Sequence, residues 1–105
     1  MEEKIYEFLI THCMGKSNLI KNADLRKMFG IKSDKGLRQI IQNIREDKNF
    51  AGVVGAVSGK SGGYYMCITD GEVLETINNI KHRANQMLRM THIIEYKLKK
   101  NYDNN

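Results

Sequence analysis

The chain has 105 residues, 41% of them apolar, and its 17 basic and 12 acidic side chains leave a net charge of +5. That describes one domain with a modest core and a charge that favours a polyanionic partner. Cys13 and Cys67 are too few for a disulfide framework and fit free thiols in a reducing, cytoplasmic compartment; no secretory leader is expected, and no run approaches the ~20 consecutive apolar residues of a membrane span.

The chain contains no proline, so its turns must be marked by glycine, asparagine and serine. Residues 2–13 open with glutamates and then place Ile5, Phe8, Leu9 and His12 or Cys13 at helical spacing. This predicts a first helix with one buried face and acidic side chains at its positive end. Residues 14–21 read as a polar connection in which Leu19 and Ile20 form a short extended segment. Asn22 is a suitable cap for a second helix over residues 23–29, with Leu25, Met28 and Phe29 turned inward. Gly30 ends it in the left-handed conformation, and Ile31 plugs the angle to the next helix.

Ser33 caps a third helix, and Asp34 sits in its first turn. Leu37, Ile40, Ile41 and Ile44 recur at intervals of three and four and form its inward face. At 100° per residue, Lys35, Gln39, Gln42 and Glu46 point away from the core, with Arg38 on the shoulder. Residues 47–49 read as a frayed end. Two short runs rich in β-branched and aromatic residues follow, at 53–57 and 64–68, separated by a loop of glycine, serine and Lys60. Tyr64 and Tyr65 are adjacent on the second run, so one faces the core and the other the root of the hairpin.

Thr69 and Glu72 have capping-box spacing and start the longest element, a helix over residues 70–100 with a frayed tail at 101–105. Val73, Ile77, Ile80, Ala84, Met87, Thr91, Ile94 and Leu98 alternate intervals of four and three, the spacing of a heptad seam. Such a helix is ~45 Å long at 1.5 Å per residue, more than one small domain can cover. The expected organisation is a core over residues 1–69, with a hairpin at 53–68, followed by a long helix that packs on the core and mediates dimerisation. Val73, Ile77, Ile80, Met87, Ile94 and Leu98 are the dimerisation residues.

Residues 22–45, NADLRKMFGIKSDKGLRQIIQNIR, thus read as two short helices joined by a tight turn, the arrangement with which helix-turn-helix proteins place a helix in the major groove. With the glycine-rich basic hairpin that follows, the expected fold class is mainly α with a small β-hairpin: a winged helix-turn-helix with a long C-terminal helix. Three phrases extend the likeness: NADLRKMFGIKSDKGLRQIIQNIRED, SGKSGGYYMCIT and INNIKHRANQMLR. Through them the chain resembles the winged helix-turn-helix superfamily over about residues 3–95. It looks most like small bacteriophage or prophage proteins of replication and early-regulation modules. By position, that resemblance implies DNA contacts at Ser33, Lys35, Arg38, Gln39 and Gln42 on the recognition helix, and at Lys60 and Ser61 on the wing.

Arg38 has the donor geometry for guanine O6 and N7, and Gln39 or Gln42 that for adenine N6 and N7; Ser33 and Lys35 suit phosphates. The fragments MGKS at 14–17 and GAVSGKS at 55–61 do not make a phosphate-binding loop, which needs four residues between its glycines and a helix after its lysine. His12, Cys13, Cys67, His82 and His92 lack metal-ligand spacing, and no catalytic constellation is visible. The expectation is therefore a non-enzymatic protein without metal or cofactor that binds double-stranded DNA, a transcriptional regulator or replication accessory, as a homodimer and without a membrane partner. The alternative is a protein-binding winged-helix module that acts on a host or phage protein of replication, transcription or defence.

Overall fold

A computed structural model describes residues 1–103. It runs α1 (Glu2–His12), a 3-10 turn (Lys16–Asn18), β1 (Ile20–Lys21), α2 (Asn22–Phe29), α3 (Asp34–Glu46), β2 (Val54–Val57), β3 (Gly63–Met66) and α4 (Asp70–Asp103). The chain is mainly helical, with a small three-stranded antiparallel sheet in the order β1-β3-β2 and a long C-terminal helix. Contacts divide it into two units, Met1–Leu74 and Glu75–Asn105. No helix among the described residues is long and apolar enough to cross a membrane.

The core of the first unit is built from the expected apolar faces. Ile5, Leu9 and Cys13 of α1 and its end meet Leu25 of α2, Leu37, Ile41 and Ile44 of α3, and Val54, Tyr64 and Met66 of the sheet. Burial in this cluster raises the Cys13 thiol pKa, which suits a small apolar filler rather than a nucleophile. Phe8 packs edge-on to Phe29, with ring centres 5.9 Å apart, tying α1 to the end of α2. Tyr65 is also buried, on the opposite sheet face from Tyr64, and a Cβ on its cross-strand neighbour Gly55 would strike its ring.

The end of α2 and the start of α3 have local causes. Gly30 takes φ 67° and ψ 30°, and its N–H and that of Ile31 both donate to the Arg26 carbonyl, closing α2 in a left-handed cap. The Ser33 hydroxyl accepts from the Gly36 N–H at 3.0 Å, capping α3. At the far end of α3, Arg45 Nε donates to the Val54 carbonyl at 2.9 Å and fixes the start of β2.

Several expectations need correction. Asn22 is the first residue of α2 rather than its cap; Lys21 occupies the cap position with extended backbone and supplies no side-chain bond. Pairing of Lys21 with Gly63 holds β1 extended up to that residue. Met28 is 54% exposed instead of inward. The covered face of α2 is rotated toward Asn22, Leu25, Arg26 and Phe29, because Arg26 is drawn to the start of α3. Residues 47–49 form an ordered turn: Asp47 Oδ1 accepts from the Asn49 N–H and the Asp47 carbonyl from the Phe50 N–H. His12 is exposed, leaving Cys13 as the core residue. The strands are 54–57 and 63–66, and α4 continues through Asp103, so of the expected frayed tail residues 101–103 are helical while Asn104 and Asn105 lie outside the described residues.

The capping box at the start of α4 is present and extended. Thr69 Oγ1 accepts from the Glu72 N–H at 3.1 Å. The Glu72 carboxylate accepts from the Ile68 N–H at 2.8 Å and from the Lys16 N–H at 2.9 Å, so one side chain joins the helix start to the 3-10 turn. These bonds, Ile68 first and Lys16 next, hold its pKa below the ordinary 4.5. A depressed carboxylate pKa stabilises the fold above the unfolded-state value, and the contribution disappears as pH falls through the folded-state value. Glu72→Gln should therefore lower the thermal midpoint at pH 7 and flatten its decline between pH 5 and pH 3. Melting curves across that range, monitored by circular dichroism, test this; an unchanged acid limb in the variant would show that Glu72 is not the linked group.

Candidate nucleic-acid interface

The polar face of α3 forms because its apolar residues are consumed by the core. Lys35, Arg38, Gln39, Gln42 and Glu46 are all exposed, and apart from the adjacent Arg38 and Gln39 each lies three or four residues from the next. Arg38 and Lys35 make no hydrogen bond or ion pair among the described residues. The two amides are engaged along the helix: Gln39 Nε2 donates to Asn43 Oδ1 at 3.0 Å, and Gln42 Nε2 to Glu46 Oε1 at 2.9 Å. A glutamine must leave these partners to read a base, whereas Arg38 needs no such exchange. Glu46 and Asp47 make the distal end of the face acidic, so its N-terminal half is the half suited to a polyanion.

Besides the shared core, Arg26 bridges α2 to the start of α3. Its Nη1 meets Asp34 Oδ1 at 3.2 Å, and its Nη2 donates to the Lys32 carbonyl at 2.8 Å. One guanidinium thus spans the turn between the helices. An exposed pair of this kind contributes little to stability, at most ~1 kcal/mol. Its effect here is geometric, since it holds the first turn of α3 beside α2. Ser33 Oγ is occupied as the cap acceptor, but its hydroxyl hydrogen is still available as a donor.

The loop between β2 and β3 closes with the Gly62 N–H donating to the Gly59 carbonyl at 3.0 Å, which puts Lys60 and Ser61 at the tip. Lys60 lines a cleft of about 320 Å³ together with Lys21, Asn22, Ala23, Arg26, Asp34, Gly59 and Gly62. Three cations, Lys21, Arg26 and Lys60, meet there against the single carboxylate of Asp34. Arg26 Nε is shielded from water and has no partner among the described residues. The first N–H groups of α2 lack a side-chain cap at the same place. Such a cleft is electrostatically suited to a phosphate group.

Lys21 and Arg26 were not among the expected site residues. Only the pairing of β1 with β3 brings them beside Lys60, and the sole local hint was a lysine directly ahead of a short helix. Of the expected set, Ser33 caps α3, Lys35, Arg38, Gln39 and Gln42 lie on it, and Lys60 and Ser61 stand at the hairpin tip. No group of three or more histidine, cysteine or acidic side chains among the described residues is arranged to hold a metal ion. No family model, curated protein or solved structure matches the chain.

Proposed function

We propose that this chain is a winged helix-turn-helix protein that binds double-stranded DNA as a transcriptional regulator or replication accessory of phage type, with α3 as the recognition helix and the β2–β3 hairpin as the wing. The observation that carries this reading is the exposed polar face of α3, where Lys35, Arg38, Gln39 and Gln42 lie together beside an α2 bridged to the helix start by Arg26. Lys21 and Lys60 supply phosphate contacts that orient the protein without reading sequence. Mobility shifts on pooled random duplexes at low salt are the direct test, and absence of a shift at micromolar protein rejects the proposal.

Glu46 opposes this function twice, by repelling phosphates and by holding Gln42. Glu46→Ala is accordingly expected to tighten duplex binding several-fold, on the order of 1 kcal/mol for one repulsive charge near a phosphate. Fluorescence anisotropy with a labelled duplex measures the change, and weaker binding by the variant would place Glu46 among the groups that assist recognition.

In the same proposal two copies join through Val73, Ile77, Ile80, Met87, Ile94 and Leu98 of α4 and present two recognition helices to inverted half-sites. Sedimentation equilibrium of the full chain tests the assembly separately from DNA binding. A second reading draws on a cleft of about 620 Å³ lined by Glu3, Glu7 and Asp47 around Tyr6, Ile10 and Phe50. Its mixture of acidic and apolar side chains suits a basic amphipathic segment of a host or phage protein of replication, transcription or defence. A partner that co-purifies and survives nuclease treatment would favour this reading.

A further inference from the structure

Every apolar position of the α4 seam beyond Val73 is exposed, from Ile77 at 39% to Met87 at 64%. Besides covering this stripe, a second copy must resolve an irregularity within it. Written as heptads, the first core position holds Ile77, Ala84, Thr91 and Leu98, and the second holds Val73, Ile80, Met87 and Ile94.

In a parallel pair each position meets itself. Ala84 would face Ala84 and Thr91 would face Thr91, leaving two thin layers around a crowded Met87 pair. Three of the four second positions are β-branched, where parallel two-stranded coils prefer leucine. Reversing one helix removes both conflicts, because each layer then combines a first position with a second. The register centred between Asn85 and Gln86 pairs Val73 with the partner's Leu98, Ile77 with the partner's Ile94, Ile80 with the partner's Thr91 and Ala84 with the partner's Met87. Each small residue is matched to a large one, and all eight seam positions are used. A shift by one heptad pairs Ala84 with the partner's Ile94 but leaves Val73 and Ile77 without apolar partners.

Charge agrees with this orientation. Asp70, Glu72 and Glu75 make the start of α4 acidic, whereas Lys97, Lys99 and Lys100 outnumber Glu95 and Asp103 and leave its far end weakly basic. A parallel pair sets the two lysine ends side by side. The reversed pair sets each acidic start beside a basic end and opposes the helix dipoles.

We infer that two copies of this chain associate through antiparallel pairing of α4 in this register, so that their first units depart from opposite ends of the helix pair. Residues 73 of the two copies then lie about 38 Å apart along the axis at 1.5 Å per residue. The inference specifies the orientation of the α4 assembly contained in the proposed function and does not depend on DNA.

Disulfide trapping on the full chain tests it. Ile80→Cys and Thr91→Cys are exposed substitutions, made in separate chains of distinguishable length and equilibrated in a glutathione redox buffer without DNA. The unsubstituted chain sets the background from Cys13 and Cys67. The expected result is a crosslinked heterodimer from the mixture, in at least tenfold excess over crosslinking of either variant alone. In the antiparallel pair, two copies of residue 80 stand about 16 Å apart at 1.5 Å per residue, beyond disulfide reach. Efficient self-crosslinking of Thr91→Cys would establish a parallel pair and overturn the inference. So would a dimer by sedimentation in which no combination crosslinks, and a monomeric full chain would remove the seam altogether. Failure of the mobility-shift test with successful trapping would reject the DNA reading and leave the antiparallel pair standing.

Discussion

Gly63→Ala is expected to destabilise the first unit by about 3 kcal/mol, the upper part of the range for forced overpacking. A Cβ at this position would lie 1.9 Å from the Ile20 carbonyl oxygen and 2.6 Å from its carbon. Both are backbone atoms of the neighbouring strand, so no side-chain rotation relieves the clash. Relief requires β1 to move away from β3, which gives up the pairing of Ile20 with Tyr64 and Lys21 with Gly63. A folded unit of this size has roughly 4–11 kcal/mol of total stability, so the loss is a large share. Gly71→Ala is the control: its Cβ meets nothing nearer than Thr69 Oγ1 at 3.8 Å in the first turn of α4. That substitution should be neutral or stabilise by up to ~1 kcal/mol, the helix propensity difference. Urea unfolding followed by far-ultraviolet circular dichroism ranks the two. Equal midpoints for both variants would mean that β1 is not held against β3 as described.

The features legible in the sequence are those whose cause lies within a few residues. Ser33 and Gly36 form their cap across three positions, Gly30 ends α2 through its own φ, and the α3 core face follows from four apolar residues at helical spacing. The hairpin was visible as two β-rich runs around glycines. What escaped depends on contacts distant in sequence. Met28 is exposed because Arg26, two residues earlier, turns α2 toward Asp34 and the Lys32 carbonyl. Thr69 and Glu72 announced a helix start, but nothing local connected that carboxylate to the N–H of Lys16. Lys60 was recognisable as an exposed cation on a glycine loop, yet its neighbours Lys21 and Arg26 are supplied by strand pairing and not by the loop. For the same reason the α3 face was readable as polar, while the engagement of Gln39 by Asn43 and of Gln42 by Glu46 was not, since any of several partners at helical spacing was available.

That engagement ranks the base-reading candidates. Arg38→Ala should lower the ratio of affinities for a selected site and a scrambled one by about ten- to a hundredfold, since a bidentate arginine–guanine pair is worth roughly 1–3 kcal/mol of discrimination. Gln42→Ala should reduce the same ratio less, because Gln42 must first release Glu46 Oε1. Lys60→Ala belongs to a different class. Its ammonium sits at the hairpin tip beside the Lys21 and Arg26 cleft, where the uniform charge of the phosphate backbone is the natural partner. It should weaken both duplexes alike, leave their ratio intact and reduce the salt slope of binding by about one. Arg38 is exposed and its removal opens no cavity, so circular dichroism of the variant should match that of the parent chain. Anisotropy titrations of the three variants against both duplexes at several salt concentrations separate these effects. If Arg38→Ala leaves the affinity ratio unchanged while reducing the salt slope, Arg38 contacts phosphate rather than base, and sequence reading has to be sought elsewhere on α3.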